Sequence, residues 1–216
     1  MATVTIDIDL RAHWHTVRDQ GTRASCLACA AADAHSLCHG LEAALSVEYL
    51  FCQAGKRMPN GDVSAGLTFE AADAALQTDG QPLEAEWPYL PATPSPWTPP
   101  PVKKRWYGAL INPAVAATDV EAALRARTPV VLGIRLTSAF FESGDEPHVL
   151  PARGAGFGGH AVLALGLGRA PTHGTVLLIR NSWGTRWRSN GYAWLPQAYL
   201  EDKLIGYRTL APRQPL

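Results

Sequence analysis

The sequence has no excess of charge of either sign, because nineteen Lys and Arg balance nineteen Asp and Glu across 216 residues. A neutral chain offers no electrostatic footprint for nucleic acid or for an anionic membrane, so neither is expected as a partner. Long apolar runs are also missing. Thr3 to Leu10 alternates apolar residues with acids where a secretory signal would need an apolar block, and no later stretch could cross a bilayer. That alternation reads as a strand. Cysteine is confined to Cys26, Cys29, Cys38 and Cys52, all in the first quarter of the chain. What is plentiful is hydrophobic residues: at 47%, they can fill a sizeable core in one domain or two apposed lobes.

The segment from Gln20 to Cys29 organises the rest. It sets the Gln20 amide six residues ahead of the Cys26 thiol, with small or turn-forming residues between, and an alanine-rich helical run from Ala28 to Leu37 follows. Cys26 therefore falls at a helix N-terminus, where unpaired N–H groups and the macrodipole favour thiolate over thiol. A thiolate nucleophile needs a histidine as proton partner and a third group to orient that histidine. His160 opens an apolar, strand-like run, and Asn181 closes another.

Read in order, the first hundred residues are mostly helical. Helix is expected from about Ser25 to Gly40, from an N-cap at Ser46 through Cys52, and from Gly66 to Gln77, ending at Gly80. Trp87 to Pro101 holds seven prolines, which excludes regular helix or central strand and reads as a surface connection between lobes. Beyond it, Thr118 to Glu121 forms a capping box for a short helix to Arg127. Strands are expected at Pro129–Thr137, His160–Gly168, Thr175–Arg180 and Gly191–Leu195. A helical first half and a strand-rich second half define an α+β protein.

Two further motifs compete with this reading. Cys26 and Cys29 form a CxxC, but no thioredoxin-like strand precedes it and no second CxxC completes a zinc knuckle, so Cys29 reads as a buried thiol and no metal or cofactor is expected. Gly154 to Gly159 satisfies GxGxxG. A strand rather than a helix follows, which argues against dinucleotide binding and for a flexible loop ahead of His160.

Gln20 to Ala28 resembles the nucleophile segment of papain-like cysteine peptidases, Gly159 to Gly168 their histidine strand, and Arg180 to Leu195 their asparagine segment. The resemblance spans about Arg18 to Leu210, and His160 and Asn181 follow Cys26 at roughly the 130 to 150 residues typical of the family. It implies one domain over 1–216 with a two-lobe papain-like fold. Residues of about 16–100 would form a mainly helical lobe and about 1–15 with 101–216 a β-barrel-like lobe, the active-site cleft lying between them. It implies a cysteine endopeptidase acting through a Cys26 acyl-enzyme, with His160 as acid and base, Asn181 orienting the imidazole, Trp183 shielding that bond and Gln20 donating to the oxyanion. By position, Gly66 would offer backbone hydrogen bonds to an extended peptide, Leu67 and Ile134 would line an apolar pocket for the residue two before the scissile bond, and Gly159 would also contact substrate. The alternatives are a peptide-binding module on the same fold that is inactive or activated by a partner, and a thioester amidase or acyltransferase.

Departures from the family pattern bear on substrate more than on chemistry. Leu27 and Ala24 replace an aromatic and a glycine near the primary pocket, and Arg23 stands where secreted members carry a disulfide cysteine. With no signal peptide, that loss points to a reducing, cytoplasmic setting. No propeptide is seen, so restraint is expected from narrow specificity, a regulatory partner protein or export as an effector.

Overall fold

The computed structural model describes residues 3–11, 16–112, 117–142, 149–151 and 153–214. In chain order its elements are β1 (Thr5–Asp9), α1 (Cys26–Cys38), α2 (Val47–Gly55), α3 (Phe69–Thr78), β2 (Tyr107–Ile111), α4 (Ala117–Arg125), β3 (Val130–Leu136), β4 (Phe157–Ala170), β5 (Gly174–Arg180), β6 (Tyr192–Pro196), α5 (Gln197–Lys203) and β7 (Leu204–Arg213). The chain divides into two compact units. One comprises Met1–Asp19 and Asn112–Thr209, the other Gln20–Ile111 and Leu210–Leu216.

The first unit is built on an antiparallel sheet whose spine is β4. Its N-terminal half pairs with β3, from Leu136↔Phe157 to Val130↔Ala164, and its C-terminal half pairs on that same side with β1, from Asp9↔Gly166 to Thr5↔Arg169. β5 runs along the other side and carries β6 beyond it, whereas β7 lies outside β3. The sheet is open rather than closed into a barrel. Period-two alternation sends Val130, Leu132, Ile134 and Leu136 to one face, where they meet Val162, Leu177, Ile179 and Leu195 under Val120 and Leu124 of α4 and Tyr199 and Leu200 of α5. Burial of these side chains is the main stabilising term, about 1.5–3 kcal/mol for each large one.

Glycine makes the β1 contact feasible. A Cβ at Gly166 would lie 2.6 Å from Ile8 O and 3.0 Å from Leu178 Cβ, and one at Gly168 would lie 2.7 Å from Val4 Cγ1. Backbone can approach this closely only where no side chain intervenes.

The second unit is helical. α1 is buried over almost its whole surface, which its run of alanines permits by letting neighbours approach from every side. α2 starts as expected at Ser46, whose Oγ accepts the Tyr49 N–H at 3.1 Å and donates to Trp87 O at 2.6 Å. α3 begins at Phe69, not Gly66: Thr68 Oγ1 accepts the Ala71 N–H and caps the helix, whereas Gly66 sits at φ +93 in the preceding turn. Gly80, at φ +65, ends α3 by donating to Ala75 O.

Trp87–Pro101 is irregular, and hydrogen bonds tie it to the helical unit through Leu90 and Trp97. α4 starts at Ala117, so Thr118 falls inside its first turn rather than ahead of it. Phe157, Gly158 and Gly159, read as loop, are the first residues of β4; Phe157 and Gly159 pair with β3, and the register shifts between them at Gly158. Three elements, β2, α5 and β7, had no sequence expectation. β2 and α5 are short, and β7 carries half-exposed arginines, Gly206 and Pro212 that erase a clean alternation.

Candidate active site

The nucleophile candidate stands where the sequence places it, as the first residue of α1 in the helical unit. Ser25 occupies the N-cap position but makes no capping bond through its side chain. Its hydroxyl lies 2.6 Å from Tyr89 Oη, and Tyr89 donates its own proton to Gln20 O at 3.0 Å, so Ser25 is the donor in the Ser25–Tyr89 pair. One phenol thus ties both ends of the loop that leads to Cys26. The Gln20 side chain is buried, and Nε2 donates to Arg23 O at 2.7 Å, which closes the loop on itself. Cys26 is half-buried at its end.

Arg23 anchors this loop to α2. Its guanidinium makes a two-pronged ion pair with Glu48, at 2.5 and 3.0 Å, and lies over the rings of Phe51, Tyr89 and Trp97. Burial works against the charged guanidinium, but the bond to Glu48 and its charge outweigh that and hold the pKa above its ordinary value. Glu48 further accepts from Leu90 N and Trp97 Nε1, so this buried carboxylate has four N–H donors.

The sheet unit brings His160, Asn181 and Trp183 together. His160 lies in β4 and Asn181 directly follows β5, two strands in register at Leu163↔Arg180. His160 Nε2 is 2.7 Å from Asn181 Oδ1, and the Ser182 N–H reaches that same oxygen at 2.8 Å. An atom that receives a backbone N–H is an acceptor, so the Asn181 amide orientation is fixed and His160 Nε2 must carry the proton. In the neutral ring Nδ1 is then the basic nitrogen. Burial pushes the imidazole below its ordinary value, and the bond to Asn181 pulls the other way.

Trp183 covers this pair, its ring 4.9 Å from the His160 ring and tilted by 38°. Phe140 and Trp187 back Trp183 from within, and Trp187 Nε1 is tied to Phe140 O at 2.9 Å. The segment is held in place by Gly184, whose N–H donates to Arg18 O and whose absent side chain leaves room for the Asp19 carboxylate.

The positions expected to bind substrate divide. Ile134 is fully buried in the core of the sheet unit and presents no surface to a ligand, so that expectation is corrected: the alternation that made it strand also turned it inward. Gly159 is exposed on β4 and pairs with Arg135. Gly66 is buried in a tight turn in which its N–H already donates to Val63 O, and a Cβ there would lie 3.2 Å from Ala24 O. Leu67 is half-buried. Tyr89 and Ser182 were not singled out as site residues. The first holds Gln20 through its carbonyl and the second acts through a backbone N–H, neither of which leaves a signal in the sequence.

A helical unit that opens on a cysteine and an open antiparallel sheet that holds a His–Asn pair under a tryptophan are the parts of a papain-like cysteine peptidase. A family model described as papain family cysteine protease matches residues 4–206, and the chain belongs to that family. Among solved structures it is similar to xylellain, a cysteine protease from Xylella fastidiosa, with a TM-score of 0.77 and 22% identity over 98% of this chain and 88% of that one. It is also similar to a mite allergen from a study of Blo t 1 and Der p 1 (TM-score 0.73, 24% identity, 99% and 72% covered). A digestive procathepsin L 3 of Tenebrio molitor matches at 0.65 and 18% identity, with 96% and 69% covered. Comparison with curated proteins gave no match. No helix among the described residues is long and apolar enough to cross a membrane.

Proposed function

We propose that the protein is an endopeptidase that hydrolyses peptide or protein substrates through an acyl-enzyme on Cys26. The observation that supports this reading is the double acceptor at Asn181, which fixes the proton on His160 Nε2 and leaves Nδ1 as the basic nitrogen able to exchange a proton with a nucleophile. Cys26 Sγ attacks the scissile carbonyl, and the protonated His160 gives its Nδ1 proton to the departing amine. Water then adds to the thioester with His160 as base, releasing the acid and restoring the thiol. The positive end of α1 favours negative charge on sulfur. His160 carries its proton only where the thiolate charge outweighs the burial that pushes the imidazole down, so the acid limb of the pH–rate profile reports the pair rather than either residue.

The developing oxyanion would be met by the Cys26 N–H and the Gln20 amide, a donor of that kind being worth about 3 kcal/mol. Gln20 has a second Nε2 hydrogen besides the one directed at Arg23 O. Gly66, Leu67 and Gly159 are the substrate-contact positions we retain. None of the four cysteines is in a disulfide, which fits a reducing compartment.

Intact-mass labelling with an epoxide directed at papain-like thiols tests the reading. One adduct is expected on wild type, none on Cys26→Ala, and slow labelling on His160→Ala, alongside turnover of a fluorogenic peptide. Adducts that track Cys29 or Cys38 instead, or labelling unaffected by His160→Ala, would refute it.

A further inference from the structure

The far end of α1 carries a second group of ligating side chains, which the chemistry above does not use. His35, Cys38 and His39 recur at helical spacing i, i+3 and i+4, so they share one face of the last turn. One ligand atom from each lies within 4.8 Å of the other two, and the two imidazole rings meet edge to face at 4.9 Å.

Each histidine is oriented through its other ring nitrogen. His35 Nδ1 is 2.7 Å from Gln81 Oε1, and the Gln81 amide is itself fixed because its Nε2 donates to Ser46 O at 2.9 Å. His35 Nδ1 therefore carries the hydrogen and Nε2 the lone pair. Among the described residues that buried Nε2 has no hydrogen-bond partner, on a side chain with 0% exposure. His39 Nε2 lies 2.9 Å from Tyr107 O, so it is the donor and Nδ1 carries the lone pair. Burial pushes His35 down to about 4, with the Gln81 bond and the Tyr107 backbone pulling upward, and pushes the Cys38 thiol up to about 12. Both groups are thus neutral at pH 7 when no cation is present.

β2 packs closely against the orphaned nitrogen, with a glycine at the point of contact. Its Gly108 is a position where a Cβ would lie 2.9 Å from His35 Nε2. A buried acceptor with no donor is unfavourable. Imidazoles preset by a hydrogen bond on the opposite nitrogen to a carbonyl are the arrangement found around bound metals. The end of a helix is also where carbonyl dipoles favour a cation.

We propose that His35, Cys38 and His39 form a Zn2+ site, with His35 Nε2, His39 Nδ1 and Cys38 Sγ as ligands and water in the fourth tetrahedral position. Two imidazoles and a thiolate suit a borderline-soft divalent ion, with bonds of about 2.0–2.3 Å that small rotations of the three side chains would reach. Binding replaces the Cys38 S–H bond by S–Zn and releases one proton to solvent, with no change of oxidation state, so affinity rises with pH. Cys38 is twelve residues along α1 from Cys26, about 18 Å at 1.5 Å per residue, which makes the ion a clamp of the α1 end against β2 and not a participant in peptide hydrolysis. The site stands whether or not Cys26 is catalytic.

The test uses Cys26→Ala protein, in which the nucleophile cannot compete as a thiolate, stripped with a chelator and titrated with Co2+. One equivalent is expected to bind with a near-ultraviolet thiolate-to-cobalt band, to be displaced by Zn2+, and to raise the melting temperature by several degrees. Cys38→Ser in the same background should lose the band, and His39→Gln should weaken binding about tenfold or more. No saturable Co2+ uptake, or a thiolate band that survives Cys38→Ser, overturns the proposal. Should Cys38→Ser fail to fold, His39→Gln decides alone: unchanged affinity overturns the site.

Discussion

Arg23 and Glu48 form a buried ion pair through two parallel contacts, Nη1 to Oε2 and Nη2 to Oε1, at side-chain exposures of 6% and 0%. Removing one partner from such a pair leaves an uncompensated charge and destabilises by about 3–5 kcal/mol. Arg23→Met is expected to lose that much in urea denaturation. Arg23→Met with Glu48→Gln should regain part of it, because Gln removes the buried charge and keeps an acceptor for one of the Leu90 and Trp97 N–H groups, which reach different Glu48 oxygens. A double variant no more stable than Arg23→Met would show that the rings around Arg23, not the charge, carry the stability.

In the proposed mechanism Asn181 would act through His160, whose ring nitrogen it holds. Asn181→Ala frees the imidazole to rotate and removes the bond that specifies its tautomer, so kcat/KM for a peptide substrate should fall about 10- to 100-fold. Stability should fall too, by about 1–3 kcal/mol, because the substitution removes the acceptor of both the His160 Nε2–H and the buried Ser182 N–H. Ser182→Ala should leave kcat/KM within about two-fold, since the backbone N–H that fixes Asn181 is kept. Steady-state kinetics and melting on the same samples separate these outcomes.

Acid should weaken the metal-free fold before it reaches the carboxylate range. His35 binds its proton only near pH 4 when folded, against about 6.5 in the unfolded chain, so below pH 6.5 the unfolded state takes up the proton first. Stability contributed by the neutral ring is therefore fully present above about pH 6.5, declines as pH falls, and is gone below about 4, a total of about 3 kcal/mol. His160, whose value is also lowered, adds a loss of the same sign. Denaturation with chelator present at several pH values in this window is expected to show the decline, and His35→Gln to flatten it.

Gly166→Ala tests the approach of β1 to β4. The added Cβ would stand 2.6 Å from Ile8 O, backbone that cannot yield without breaking its ladder, so a loss of about 1–3 kcal/mol is expected. Gly174→Ala, whose Cβ meets nothing within 4 Å, should lose only about 1–2 kcal/mol, the cost of its φ of +64 to an alanine. Equal losses at the two positions would deny the close approach.

Much of this was legible where local chemistry and element agree. The start of α1 follows from small residues and an alanine run, the α2 cap from Ser46, and β4 and β5 from apolar runs too dense for a solvated surface. Ile134 shows where that stops: alternation made β3 a strand but could not say which of its faces meets the core. Tyr89 and Ser182 were hidden for another reason, since they hold Gln20 and Asn181 through backbone groups, which carry no sequence signature. β7 is masked by Gly206 and Pro212, and its pairing with β3 comes from tertiary contacts rather than from its own pattern.

The pairing of Thr5 with Arg169 has a consequence during synthesis. At 5–20 residues per second, β1 leaves the ribosome on the order of 10 s before the strand that will receive it. Residues 20–111, by contrast, emerge as one continuous stretch able to gather most of the helical unit first. Throughout that interval the leading segment is an unpaired strand, a template for association with other nascent chains. Asp7 and Asp9, every second residue along it, keep that segment charged and solvated until β4 arrives.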